Sequence, residues 1–80
     1  MIGLSLITRT KQKGTILVKK FTKLYKSVDQ ARPYILEVVN EMKKAESEKR
    51  DPSAEITGAS YESDSERLAL VELGAIKTES

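Results

Sequence analysis

Seven basic side chains crowd the first third of the chain: Arg9, Lys11, Lys13, Lys19, Lys20, Lys23 and Lys26. Two aromatic rings, Phe21 and Tyr25, stand among them in the run TILVKKFTKLY. Ammonium groups interleaved with rings suit a single-stranded nucleic acid. The lysines neutralise phosphates and release counterions, and the rings give unpaired bases a surface to stack on. Other reactive chemistry is sparse. The chain has no cysteine and no histidine. That removes thiolate nucleophiles, disulfides, Cys-ligated metal sites and the usual general base near neutral pH. Glu37 and Glu41 lie four apart, the spacing that brings two carboxylates to one helix face, where such a pair can bind a hard cation or do acid–base work. No third ligand accompanies them, and a solvated helix face accounts for both. Serine and lysine are plentiful, but no motif singles out a nucleophilic pair. Gly3, Gly14, Gly58 and Gly74 are isolated rather than grouped into a phosphate-cradling loop. The expectation is a non-catalytic protein with no cofactor and no metal.

Charge is divided along the chain. Residues 1–26 hold seven basic and no acidic groups; residues 27–80 hold seven basic and twelve acidic ones, for an overall net charge of +2. Such asymmetry suggests a basic surface for nucleic acid or another acidic partner. It is equally met if the two halves lie side by side and neutralise one another. A chain of 80 residues makes one domain, 1–80, with a small core. No apolar run approaches the ~20 residues of a membrane-spanning helix. The apolar stretch at the N-terminus precedes its charges, the reverse of a signal peptide. The expected address is cytoplasmic, with no integral membrane segment.

The elements that must position these groups follow from periodicity. Ile2, Leu4 and Leu6 alternate with Gly3 and Ser5, which predicts a strand over residues 2–8. Lys11-Gln12-Lys13-Gly14 reads as a polar connection whose glycine takes a left-handed turn, making Thr15–Tyr25 the partner strand. Ser27-Val28-Asp29-Gln30 fits a capping box, with Asp29 against the positive end of the helix dipole. Ala31, Ile35, Val38, Val39 and Met42 then form an apolar stripe at helical spacing, so a helix is predicted between Ser27 and Arg50. Pro33 implies either a kink or a helix that begins there. The polar segment 43–53 is expected to be a frayed helix end and linker. In the last third, Ala54–Tyr61 and Arg67–Ile76 suit a hairpin. Alternatively, Ser63-Asp64-Ser65-Glu66 caps a helix that Gly74 ends. The preferred class is α+β, a small antiparallel sheet with one main helix in the order β-β-α-β-β. The alternative is mostly α, with residues 15–27 and 65–73 helical.

The basic run sorts differently in the two cases. As a strand, Leu17, Lys19, Phe21, Lys23 and Tyr25 share one face, while Ile16, Val18, Lys20, Thr22 and Leu24 share the other and would pack beneath the helix. As a helix, the rings join an apolar stripe opposite Lys19, Lys20, Lys23 and Lys26, which would suit an anionic membrane surface or a partner helix groove. The strand is preferred on β-branched and aromatic content. The stretch ILVKKFTKLYKSVDQ, a strand running through lysines into a capped helix, resembles the strand-to-helix step of the Alba nucleic-acid-binding family. A hairpin from Glu55 to Lys77 would resemble that family's final hairpin. Its opening strand and helix have no counterpart in residues 1–13, and no functional residue is carried across.

The sequence thus predicts a small nucleic-acid-binding protein for RNA or single-stranded DNA, with weak sequence specificity. Arg9, Lys11, Lys13, Lys19 and Lys23 would contact phosphates, and Phe21 and Tyr25 would stack on bases. The alternative is a protein–protein interaction module, a small regulator or inhibitor of a larger protein, able to self-associate as a homodimer through a strand edge.

Overall fold

A computed structural model describes residues 1–76; Lys77, the far end of the hairpin considered above, lies outside the described residues. Five elements follow in the order β-β-α-β-α: β1 (Ile2–Gln12), β2 (Thr15–Tyr25), α1 (Val28–Ser47), β3 (Ala54–Ser60) and α2 (Asp64–Leu73). The class is α+β, a three-stranded antiparallel sheet with two helices.

β1 and β2 form a hairpin paired along their whole lengths, from Ile2 opposite Tyr25 to Gln12 opposite Thr15. The connection is only Lys13-Gly14, shorter than the sequence suggested. Lys13 has φ 47° and Gly14 φ 80°. Two consecutive left-handed residues give the primed turn whose twist matches that of paired strands. The helical alternative for residues 15–27 is thereby overturned: the turn commits Thr15–Tyr25 to β1, where its β-branched and aromatic residues are favoured.

α1 begins where its cap predicts. The Ser27 hydroxyl accepts from the Gln30 N–H, and the Gln30 side chain accepts from the Lys26 N–H. The helix runs unbroken past Pro33, and its stripe of Ala31, Ile35, Val38 and Val39 is buried. Segment 43–53 is helical through Ser47, with Ala45 fully buried. Lys49 then turns left-handed at φ 55°. Its N–H donates to the Glu46 carbonyl and the Arg50 N–H to the Ala45 carbonyl, which is the Schellman closure. Arg50 reaches back with two N–H groups to the Glu41 carboxylate at 2.7 and 3.2 Å, and Glu41 also accepts from the Ser53 N–H at 2.7 Å. That clamp holds the turn into β3 against the helix it leaves.

The expected fourth strand is a helix. β3 does need a neighbour, but β1 supplies it: the sheet order is β2-β1-β3, with a bulge at Thr57 of β3, where Ser5 and Leu6 of β1 face Gly58 and Ile56. With both edges of β1 filled, nothing demands a second hairpin, and local signals decide. Ser63 and Glu66 form a reciprocal capping box, and Gly74 closes α2 at φ 85°. The likeness to the closing hairpin of the Alba fold falls with this correction.

The core lies between one side of the sheet and the helices. It joins Ile2, Leu4 and Leu6 of β1 to Ile35 and Val38 of α1, Ile56 of β3, Leu70 of α2, and Ala75. Each fully buried aliphatic side chain contributes about 1.5–3 kcal/mol, so the stabilising weight sits around the first half of β1. The hairpin runs on beyond it. Every residue from Thr10 to Leu24 is exposed, and the molecule is elongated, 43 × 24 × 21 Å.

Candidate interaction surface

Register decides which side chains the hairpin offers, and to whom. Opposed residues in an antiparallel pair share a face. Ile2 faces Tyr25, Leu4 faces Lys23 and Leu6 faces Phe21. The row Leu17, Lys19, Phe21, Lys23 and Tyr25 therefore does share a face, and that face is the helix side. The row Ile16, Val18, Lys20, Thr22 and Leu24, expected beneath the helix, lies on the open side. Ile2, Leu4 and Leu6 are the densest apolar row and must be covered, and the two-residue turn then fixes the parity of β2. The helices cover β1 and β3 and leave β2 at the edge.

The seven residues singled out by sequence fall into two groups. Three are used by the fold. Arg9, on the open side where β1 meets β3, donates to the Pro52 carbonyl at 3.0 Å and approaches Glu55 at 3.7 Å. Lys23 places its ammonium 5.3 Å from the centre of the Tyr34 ring on α1, a cation–π contact. Tyr25 is half-buried against the core; burial first, and then the neighbouring Tyr34, push its phenol above the usual value. The other four, Lys11, Lys13, Lys19 and Phe21, are exposed. A continuous Lys-Phe-Lys-Tyr stacking row is thus not presented: Phe21 is the one ring of the pair left open, 40% exposed.

Among the described residues no carboxylate neutralises the hairpin lysines. Among the described residues the side-chain ion pairs join arginines to carboxylates: Arg9–Glu55, Arg32–Asp29, Arg50–Glu41, Arg50–Glu48 and Arg67–Asp64. The guanidinium and the Ser53 amide hold the Glu41 carboxyl down at about 2. Glu41 is therefore committed to Arg50 and Ser53, away from any pairing with Glu37. Among the described residues no group of three acidic or other ligating side chains is placed to hold a metal.

The sequence did not flag the apolar side chains of the same strand. Ile16 is 58% exposed, Val18 53% and Leu24 64%, with Leu17 at 45% on the other face. The available signal was the presence of lysines in both alternating rows, which rules out burial of either row along its full length. A shallow depression of ≈ 510 Å³ runs along the open side between Ser5, Ile7, Lys20, Thr22 and Thr57. Among the described residues no helix is long and apolar enough to cross a membrane.

No family model, no curated protein and no solved structure matches the chain.

Proposed function

We propose that the chain is a small non-catalytic protein-interaction module that works through the exposed edge of β2. One observation carries this: an unpaired edge strand of eleven residues exposes Ile16, Leu17, Val18, Phe21 and Leu24 beside unneutralised lysines. Long edges with apolar side chains pair with other chains unless something covers them, and exposed apolar patches rimmed by charge mark protein contacts. A nucleic acid has little use for four exposed aliphatic side chains.

The free ammonium groups of Lys11, Lys13, Lys19 and Lys20 favour a second reading, in which the projecting hairpin follows a phosphate backbone. One experiment separates the two. A photo-reactive residue at Val18, compared with one at the exposed Leu68 of α2, should give a discrete protein adduct in cell extract from the first position alone. Replacing Ile16 and Leu24 by serine should abolish it. Mixed oligonucleotides at moderate salt should leave the chain unshifted. An oligonucleotide shift that steepens as salt falls and disappears on reversing Lys19 and Lys20, without any Val18 adduct, overturns the proposal.

A further inference from the structure

We infer that the occupant of the β2 edge is an extended acidic segment of another protein, added antiparallel as a fourth strand. This presupposes the interaction module proposed above and specifies its ligand.

The backbone defines the donors. In a two-residue hairpin the flanking pair, here Gln12 and Thr15, exchanges both hydrogen bonds, and bonded and non-bonded pairs alternate from there. Odd-numbered residues of β2 therefore turn their N–H and C=O toward β1. Ile16, Val18, Lys20, Thr22 and Leu24 turn theirs outward. The same alternation aims the odd residues of β1 toward β3, in agreement with the Arg9 N–H donating to the Ser53 carbonyl at 2.8 Å. Five consecutive outward donor–acceptor sets remain for an added strand.

The side chains define what that strand must carry. An opposed residue shares the face of its partner. Carboxylates belong opposite Lys19, Lys20 and Lys23, and apolar side chains opposite Ile16, Leu17, Val18, Phe21 and Leu24. Charge complementarity selects this occupant over a second copy of the chain. Two β2 strands side by side would gather Lys19, Lys20 and Lys23 from each onto one seam, with no acid anywhere in residues 1–26. Lysines on an edge are a known guard against self-pairing.

The test uses the full chain and a synthetic peptide spanning Ile16–Leu24. Read in the antiparallel sense, the peptide carries glutamates opposite the three lysines, threonine opposite Thr22, and valine or leucine elsewhere. With peptide at ~10 times its Kd, amide exchange at Ile16, Val18, Lys20, Thr22 and Leu24 should slow about tenfold, while Leu17, Lys19, Phe21 and Lys23 stay as they were. N-methylation of the peptide amides facing β2 should abolish the effect, and N-methylation of the opposite edge should not. Val18→Pro removes an outward N–H without touching the β1 ladder, so it should block the peptide while the inward amides stay protected. No binding, or protection without alternation, overturns the inference. So does the same alternating protection arising without peptide as the chain is concentrated, which identifies a second copy. If the Val18 photo-adduct persists while the peptide fails, strand addition is wrong and the interaction module stands; if the adduct fails too, both fall.

Discussion

Truncating Leu70 to alanine tests whether α2, the element the sequence left ambiguous, is an integral part of the domain. Leu70 is 0% exposed and belongs to the same cluster as Leu4, Ile35 and Ile56. Leu→Ala at fully buried sites costs about 2.7–5.0 kcal/mol, the higher values where the cavity cannot close. α2 packs chiefly against α1, and the low end of that range gives a cost of about 3 kcal/mol. A domain of this length has a total stability of about 4–12 kcal/mol, so the loss is a quarter of the total at the least. At about 4–8 °C per kcal/mol, the melting temperature should fall by roughly 12–24 °C. The assay is urea unfolding followed by far-UV circular dichroism, with Leu68→Ala as the internal control. Leu68 lies two residues earlier on the same helix and is 52% exposed; its truncation should stay within about 0.5 kcal/mol of the parent. If the two variants unfold at the same urea concentration, α2 does not dock through Leu70 and the helical packing described above is wrong.

Four further outcomes follow from particular contacts. Lys49 occupies the left-handed closing position of α1 at φ 55°, so Lys49→Gly should raise stability by about 0.5–1 kcal/mol in the same assay, despite glycine's greater unfolded-state freedom. A methyl group on Gly3 would sit 2.7 Å from the Ser60 hydroxyl and 3.2 Å from Leu24. Gly3→Ala should therefore destabilise by about 1–2 kcal/mol, and adding Ser60→Ala should restore most of it in a double-mutant cycle. Glu41 titrates at about 2 in the folded chain, below its ordinary 4.5, because of its bonds to Arg50 and the Ser53 amide. Its contribution is present in full above pH 4.5 and fades as pH falls toward 2, so urea midpoints of the parent and Glu41→Gln should differ at neutral pH and converge in acid. Finally, a variant with glutamate at positions 19, 20 and 23 should associate with the unmodified chain in sedimentation while neither associates alone; self-association of the unmodified chain at the same concentration would contradict the guarding role of its lysines.

Local signals of the fold were legible, including the pairing of β1 with β2; partner choice between elements distant in the chain was not. The Ser27 cap, the left-handed Gly14 and the alternation of Ile2, Leu4 and Leu6 each rest on a few neighbouring residues, and each appears where the sequence puts it. The segment Arg67–Leu73 is apolar on more than one side, so its period is uninformative. What decides it is whether β3 still lacks a neighbour. That depends on β1 pairing with both β2 and β3, a contact some fifty residues apart that no local pattern encodes. The face of β2 was lost for the same reason. Alternation predicts that Lys19, Phe21 and Lys23 stand together. It is the register against Leu4 and Leu6 that turns them toward the helices, and the placement of the helices over β1 and β3 that leaves Lys19 and Phe21 uncovered while Lys23 meets Tyr34.

The composition of β2 carries two opposed requirements. A strand that needed only to stay unpaired could bear threonine, glutamate or proline along its free edge, and would have no reason to keep Ile16, Val18 and Leu24 in water. A strand meant to pair with its own copy would not carry Lys19, Lys20 and Lys23 on that same edge. On the proposed reading, apolar area together with positive charge suits a partner that is a different chain of opposite charge, because the lysines that repel a second copy attract that one. Specificity of this kind is a difference between two affinities, widened from both sides by the same residues. Among the described residues Asp29, Glu41 and Asp64 pair with arginines and Glu66 with the N-terminal ammonium, which on that reading leaves the hairpin lysines for the partner.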